Sequence, residues 1–254
     1  MEYPRTADIK VIFALTLVHF IGDFYISFVN PLLPVFVKQF SLTMTQVGLI
    51  AGISRLLATR FFILGGPFLA IVFIPLVGIA PCFLVLLLLI SLGSIGSSMF
   101  HPTTAGMVSA HSGRRFGFSL SVFNMGGTLA FAIGPLFIAY FVGSWGLGAS
   151  PFTMIFGLAV MVLLFRIIPL PGGERLENLG FIRSIQEALG PVWKSIMLIG
   201  AVMILRAFVT QSFLIFIPVL YSREGYSLIS IATMVSLFTV AGTISGLLRR
   251  SPIG

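Results

Sequence analysis

Long apolar stretches run through this chain of 254 residues, and short polar segments separate them. A helix needs about 20 apolar residues to cross the hydrocarbon core of a bilayer, and the stretches have roughly that length. They lack the alternating pattern of strands in a membrane barrel. The pattern predicts an all-α integral membrane protein with about eight transmembrane helices. We expect these spans near residues 11–36, 45–59, 61–80, 82–104, 117–142, 151–169, 195–220 and 228–248.

A polar segment at residues 171–194 is the best candidate for a linker. Within it, leucines and isoleucines recur at helical spacing opposite Glu177 and Arg183, as in an amphipathic helix that lies on a membrane surface. A helix that binds a partner protein is the alternative. We therefore expect three parts: an N-terminal transmembrane bundle at 1–170, a cytoplasmic linker at 171–194 and the start of a C-terminal bundle at 195–254.

Composition and charge agree with a membrane protein. Only 9% of the residues are charged, whereas a soluble domain has about 25%. The formal net charge is +8, but the Lys and Arg residues are scattered over loops, which argues against a nucleic-acid site. By the positive-inside rule, their distribution predicts a multi-pass protein of the plasma (inner) membrane with a cytoplasmic N-terminus. The oligomeric state is open.

The motifs of common enzyme sites are missing from the sequence. We find no zinc-ligand spacing, no phosphate-binding loop and no Ser or Cys nucleophile with a partner base. Cys82 is the single cysteine, so it cannot form an intramolecular disulfide. We therefore expect no enzymatic activity, no cofactor and no bound metal.

His19 and Asp23 are the leading candidates for a proton-coupling site. They lie four residues apart in the first predicted span, so a helix places them on one face. An ionised Asp at the centre of a membrane helix costs about 2.5–3.5 kcal/mol on the insertion scale, so its presence calls for a cavity or a partner. The alternative is that Asp23 only hydrogen-bonds a neighbouring helix.

His101 and Pro102 stand in the fourth predicted span. Proline lacks a backbone donor and disfavours helical geometry in the residue before it, so we expect a local kink that carries an imidazole. His101 would then line the path of the substrate or of protons. The alternative is that the helix begins or bends here and His101 caps a loop at the outer interface.

Small residues in the fifth span predict a close helix contact. Gly126, Gly127 and Gly134 allow a second helix to approach, and Pro135 bends the span, so the segment would permit rocking of one helix on another. Asn124 either faces the substrate cavity or hydrogen-bonds across helices.

Arg206 is the one cation that we place clearly inside a predicted span, with Gln211 about a turn and a half further on. It could balance Asp23 or bind an anionic substrate in the cavity, together with Gln211. Alternatively, its long side chain snorkels to the cytoplasmic interface.

Short motifs cover most of the predicted N-terminal bundle: His19-x-x-x-Asp23, Ser41-Leu42-Thr43, Gln46-x-Gly48, Gly96-Ser97-Ser98-Met99-Phe100-His101-Pro102, Gly113-Arg114-Arg115-Phe116-Gly117, Ser121-x-Phe123, Gly126-Gly127 and Gly134-Pro135. With these motifs the chain resembles the major facilitator superfamily, and within it the fosmidomycin-resistance-like branch of drug exporters. The resemblance implies a twelve-helix, two-bundle antiporter that expels small molecules in exchange for protons by alternating access.

Two departures from the family pattern keep other functions open. The loop after the second span lacks the family's Gly-x-x-x-Asp-Arg type motif, because Arg60-Phe61 runs straight into the next apolar segment. The chain also stops at Gly254, before the last helices of such a transporter, so we expect a fragment. The alternatives to proton-coupled export are an uptake carrier for a sugar or organic anion and a transport-inactive, truncated membrane protein.

Overall fold

The computed structural model describes residues 7–41, 63–168 and 193–248, and within these ranges all regular structure is helical. The α-helices are α1 (Ile9–Ile26), α2 (Val29–Phe40), α3 (Gly65–Leu76), α4 (Phe83–His111), α5 (Phe116–Trp145), α6 (Met154–Ile167), α7 (Trp193–Arg223) and α8 (Leu228–Leu248). Short 3-10 turns at Val77–Ile79, Gly113–Arg115 and Leu147–Thr153 connect some of them.

The lengths and composition of these helices fit a membrane protein. In the described ranges, four helical segments are long and apolar enough to cross a bilayer: Ile9–Ile26, Gly113–Trp145, Leu147–Ile167 and Gly200–Arg223. Shorter apolar helices lie at Gly65–Ile79, Phe83–Ser98 and Leu228–Ala241. The prediction of an all-α membrane fold is therefore confirmed. The predicted span at 45–59 and nearly all of the linker at 171–194 lie outside the described residues.

The first predicted span consists of two helices in tandem. α1 ends at Ile26 and α2 begins at Val29, and the Ser27 hydroxyl between them donates to the Phe24 carbonyl oxygen at 2.6 Å. This hydrogen bond satisfies a carbonyl at the end of α1 that has no partner in the next turn. The break lies one residue beyond Ile26, so it leaves the His19–Asp23 segment in regular helical geometry.

α1 occupies the centre of the N-terminal helices and contacts α3, α4, α5 and α6. Leu15, Val18 and Ile21 on this helix are completely buried. A helix that is apolar on all sides is suited to such a position, since every face meets another helix. Because α1 has neighbours on several sides, its polar side chains can be satisfied by protein groups instead of facing lipid.

Glycines on α5 allow it to pack closely on α1. A β-carbon added at Gly126 would lie 2.5 Å from the carbonyl oxygen of Thr16, and one at Gly134 would lie 2.9 Å from that of Phe24. Both distances are shorter than a normal van der Waals contact, so residues with side chains do not fit here without displacing α1. The sequence-based expectation of a close helix contact at these glycines agrees with this packing.

The last two described helices pack against α2 and α5. α7 packs against α2, and α8 packs against α5 and, less extensively, against α2 and α7. Ile215 and Val219 of α7, which are buried, belong to the same apolar core as the residues of α1. α5 therefore has α1 on one side and α8 on another.

Candidate functional site

His19 on α1 and His101 on α4 lie at the same depth, although the chain runs in opposite directions along the two helices. The amide of Asp8, just before α1, donates to the carbonyl oxygen of His111 at the end of α4 (2.9 Å), so these two helix ends are level. His19 comes ten residues after Ile9, where α1 begins, and His101 comes ten residues before His111. At about 1.5 Å per residue, both lie about 15 Å from that level. This is about half the thickness of a bilayer's hydrocarbon core, which is about 30 Å.

Asp23 lies between these two histidines. Nε2 of His19 is 3.1 Å from Oδ2 of Asp23, and Nε2 of His101 is 3.2 Å from Oδ1. The first contact joins residues four apart on α1, and the second joins α1 to α4. The two imidazole rings themselves are perpendicular, with centroids 4.9 Å apart. Each carboxyl oxygen of Asp23 thus has its own imidazole partner.

The third helix of the site is α5. Nδ1 of His19 lies 2.8 Å from the carbonyl oxygen of Phe123, and the two rings stack with centroids 4.2 Å apart. Gly127, one turn further along α5, completes this contact, because a β-carbon there would lie 2.8 Å from Oδ2 of Asp23 and would also collide with Nε2 of His19. The His19–Asp23 pair therefore fits only against a glycine.

The three side chains differ in their access to the surroundings. The side chains of His19 and Asp23 are 8% and 6% exposed, whereas that of His101 is 42% exposed. Phe100, which is completely buried, covers the pair, with its ring centroid 5.8 Å from that of His19. His101 is therefore the member of the cluster that connects the buried carboxyl group with the outside of this helix group.

Few other ionisable groups lie on the helices around α1. α3 carries none, α5 carries only the exposed Tyr140, and α6 carries only the exposed Arg166. Among the buried residues that the structure describes, Asp23 is the only carboxylic acid. The charge state of the site is therefore determined mainly by Asp23 and its two imidazole partners.

The same three groups could offer nitrogen and oxygen ligands to a divalent transition metal, since one ligand atom from each lies within 4.8 Å of the others. The direct contacts of 3.1 and 3.2 Å between these atoms have the length of hydrogen bonds, however. A proton satisfies such contacts without any change of geometry. The sequence-based expectation that the protein binds no metal stays a prediction.

The remaining predicted site residues lie on α5 and α7. Asn124 follows Phe123 on α5 and is exposed. Arg206 is exposed on α7 and makes no ion pair with Asp23, although the structure describes both side chains. Gln211 is partly buried on the same helix. Their predicted contribution to a substrate cavity stays a prediction.

Two contacts of the site were not expected from the sequence, that of His101 with Asp23 and that of His19 with the Phe123 carbonyl oxygen. His101 lies inside α4, which continues unbroken to His111, so the alternative of a loop cap at the outer interface is wrong. No signal in the sequence indicated its contact with Asp23, because that contact depends on which helices pack together. The contact of His19 with the Phe123 carbonyl oxygen was missed, because the sequence does not show which backbone carbonyl accepts a hydrogen bond. The conspicuous Ser121-x-Phe123 segment was the only signal near it.

Comparison with known proteins gives a family match over nearly the whole chain. The family model described as Major Facilitator Superfamily matches residues 12–251. The Fosmidomycin resistance protein of Escherichia coli (strain K12) is 27% identical over 176 residues, which is 61% of this chain and 42% of that protein. The Uncharacterized MFS-type transporter YfnC of Bacillus subtilis (strain 168) is 25% identical over 181 residues, 65% of this chain and 44% of that protein. The chain thus spans less than half the length of these relatives.

Two solved structures share the fold. Both are crystal structures of a bacterial homologue of the human lysosomal transporter Spinster in an inward-facing conformation. The unoccupied form matches with a TM-score of 0.65 and 22% identity, over 92% of this chain and 60% of that one. The occupied form matches with a TM-score of 0.67 and 19% identity, over 94% and 59%. At this level of identity the likeness concerns the fold alone.

Proposed function

The chain belongs to the major facilitator superfamily, a family of membrane transporters and not of enzymes, and on that premise we propose that the whole protein exports small molecules in exchange for protons. Transport would proceed by alternating access between two helical bundles. Residues 1–170 would form the first bundle, 171–194 the linker and 195–254 the start of the second. The N-terminus would lie in the cytoplasm, at the plasma (inner) membrane.

The observation that carries the proposal is the buried carboxyl group of Asp23 between two imidazoles at mid-membrane depth. Ionisable groups are expensive in a membrane interior and are typical of proton relays and ion pathways. A purely structural hydrogen bond between helices would need neither a carboxylic acid nor two bases. Asp23 and His19 would bind the transported proton, and the half-exposed His101 would exchange it with the aqueous cavity.

The packing of α1 against α5 supports alternating access. The small residues at this contact, Gly126, Gly127 and Gly134 with Pro135 beside them, let the two backbones approach closely. A contact of this kind allows one helix to rock on the other, because the glycines themselves have no side chains that interlock across it. In our proposal Asn124, Arg206 and Gln211 line the substrate cavity on the side of α5 and α7.

The substrate class is suggested by one relative only. The Escherichia coli relative bears the name Fosmidomycin resistance protein, and export is the simplest way in which a transporter confers resistance. Fosmidomycin is therefore the first compound to test with this protein. Other small molecules should follow if it fails.

The test is a flux assay with the complete protein in sealed vesicles. Vesicles with an acidic interior and a pH-sensitive dye should report proton efflux when fosmidomycin is added outside, and radiolabelled fosmidomycin should accumulate inside. Collapse of the pH gradient by a protonophore should stop the accumulation. Accumulation that is unchanged without a gradient would contradict proton coupling. Movement of drug and protons in the same direction would instead favour an uptake carrier.

A further inference from the structure

Both ring nitrogens of His19 face oxygen atoms that accept hydrogen bonds. Nδ1 lies 2.8 Å from the carbonyl oxygen of Phe123, and Nε2 lies 3.1 Å from Oδ2 of Asp23. A backbone carbonyl can only accept a hydrogen bond, so the hydrogen of this contact must be on Nδ1. In a neutral imidazole with hydrogen on Nδ1, the other nitrogen has a bare lone pair. Such a nitrogen cannot donate to a carboxylate.

The contact between Nε2 and Oδ2 therefore requires one more proton. The proton is either on His19, which is then an imidazolium beside a carboxylate, or on Asp23, whose hydroxyl then donates to Nε2. Both arrangements give the pair a net charge of zero. Without this proton a buried carboxylate would face a lone pair at 3.1 Å, and an uncompensated charge in such a place is costly. His101 cannot replace the proton, because its Nε2 faces the other oxygen, Oδ1.

We infer that His19 and Asp23 share one proton along this contact, and that the Phe123 carbonyl ties retention of the proton to the packing of α5 on α1. The inference rests on the proposed function and deepens it. While α5 lies against α1, the Phe123 carbonyl keeps hydrogen on Nδ1, and loss of the shared proton would leave two acceptors in contact. Once α5 moves away, the His19 ring can rotate or change tautomer, and the proton can leave through His101.

No other ionisable group in the described ranges faces the pair from the helices that pack on α1. Beside the pair, α1 itself carries Lys10 near its start and Tyr25, whose hydroxyl donates to the Thr153 carbonyl oxygen. α4 adds only His101 and His111, and His111 lies at its far end. Protonation of the pair is thus linked to one outside base, His101.

The experiment is nitrogen NMR of the complete protein, labelled with ¹⁵N in the histidine rings and reconstituted in lipid. A His19→Asn variant identifies the signals of His19, because only these signals disappear from its spectrum. We expect Nδ1 of His19 to carry hydrogen while α5 lies against α1, because it faces the Phe123 carbonyl oxygen. We also expect one proton between Nε2 and Oδ2 at neutral pH, seen either as a proton coupled to Nε2 or as a protonated Asp23 carboxyl group in its ¹³C signal. A bare Nδ1 would overturn the inference, and so would a Nε2 without a proton beside an ionised Asp23 at neutral pH.

A substitution at Asp23 tests the sharing directly. In Asp23→Asn, Nε2 of His19 should carry no proton at neutral pH while Nδ1 keeps its hydrogen, because no carboxyl group is left to share a proton. Asp8→Asn is the matched control, since Asp8 is an acid outside the site that caps the same helix, and its His19 signals should equal those of the unchanged protein. A His19 ring that stays doubly protonated in Asp23→Asn would contradict the shared proton.

A substitution on α5 tests the dependence on helix packing. Gly127→Ala inserts a methyl group against Nε2 of His19 and Oδ2 of Asp23, whereas Gly143→Ala on the same helix meets open space. Only the first should shift the His19 signals and weaken the proton coupling at Nε2. Equal spectra for both variants would refute the dependence.

These measurements use no substrate, so they fail independently of the proposed function. If the His19 signature is found but flux does not respond to a pH gradient, proton-coupled export is refuted and the shared proton stands. If flux is proton-driven but Nδ1 is bare, the export proposal stands and the inference is refuted.

Discussion

Oδ1 of Asp23 lies 3.2 Å from Nε2 of His101, and this contact joins the first long helix to the fourth. Asp23 is almost completely buried, but 42% of the His101 side chain is exposed. A proton on the carboxyl group is therefore one hydrogen bond away from a group that reaches the surroundings. Asp23 and His101 together combine the two properties that a proton-coupling site needs, which are shielding of the acid and a path by which protons reach it.

Asp23→Asn should abolish transport driven by a pH gradient while the protein is still produced and inserted. The amide has the same shape as the carboxyl group and can hydrogen-bond both imidazoles, but it cannot bind and release a proton. The measurement is gradient-driven accumulation in vesicles, with protein amount and thermal stability determined in parallel. Asp8→Asn serves as the control, because this helix-capping residue lies outside the site. Transport by Asp23→Asn at the original rate would exclude Asp23 as the proton site.

His101→Ala should destabilise the protein more than His111→Ala. The first substitution removes a hydrogen bond to a buried carboxyl group, and hydrogen bonds to charged groups contribute about 1.5–3 kcal/mol. The His111 side chain hydrogen-bonds the Met107 carbonyl oxygen of its own helix, and it lies at the helix end, so its loss should cost about 1 kcal/mol or less. Thermal unfolding in detergent compares the two variants. Equal melting temperatures would mean that the His101–Asp23 contact adds nothing to stability.

Tyr25→Phe should lower stability without affecting proton coupling. Tyr25 is completely buried, and its hydroxyl donates to the Thr153 carbonyl oxygen at 2.5 Å, joining α1 to the turn before α6. Removal of such a neutral hydrogen bond costs about 0.5–1.5 kcal/mol, and more if the acceptor is left unsatisfied. Tyr140→Phe is the matched control, because Tyr140 is exposed on α5. A Tyr25→Phe variant as stable as the control, measured by thermal unfolding, would contradict this contribution.

Much of the fold could be predicted because the bilayer imposes simple rules on the sequence. Apolar length predicted the helices, and the four-residue spacing of His19 and Asp23 predicted their contact, since helix geometry alone determines both. The contact of His101 with Asp23 depends on which helices are neighbours, and apolar periodicity carries no such information. The Phe123 carbonyl could not be predicted at all, because its role depends on how closely α5 approaches α1.

Gly126→Ala should destabilise the protein by about 1–3 kcal/mol, as is typical when a methyl group is forced into a packed interior. The added β-carbon would lie 2.5 Å from the Thr16 carbonyl oxygen, a backbone atom of α1 that cannot turn aside, so the two helices must separate. Gly117→Ala on the same helix meets open space and should stabilise slightly, because alanine favours a helix by about 1 kcal/mol over glycine. Thermal unfolding measures both effects, and the vesicle assay should find slower transport only for Gly126→Ala. If Gly126→Ala is as stable and as active as Gly117→Ala, then close packing of α5 on α1 is not required for either folding or rocking.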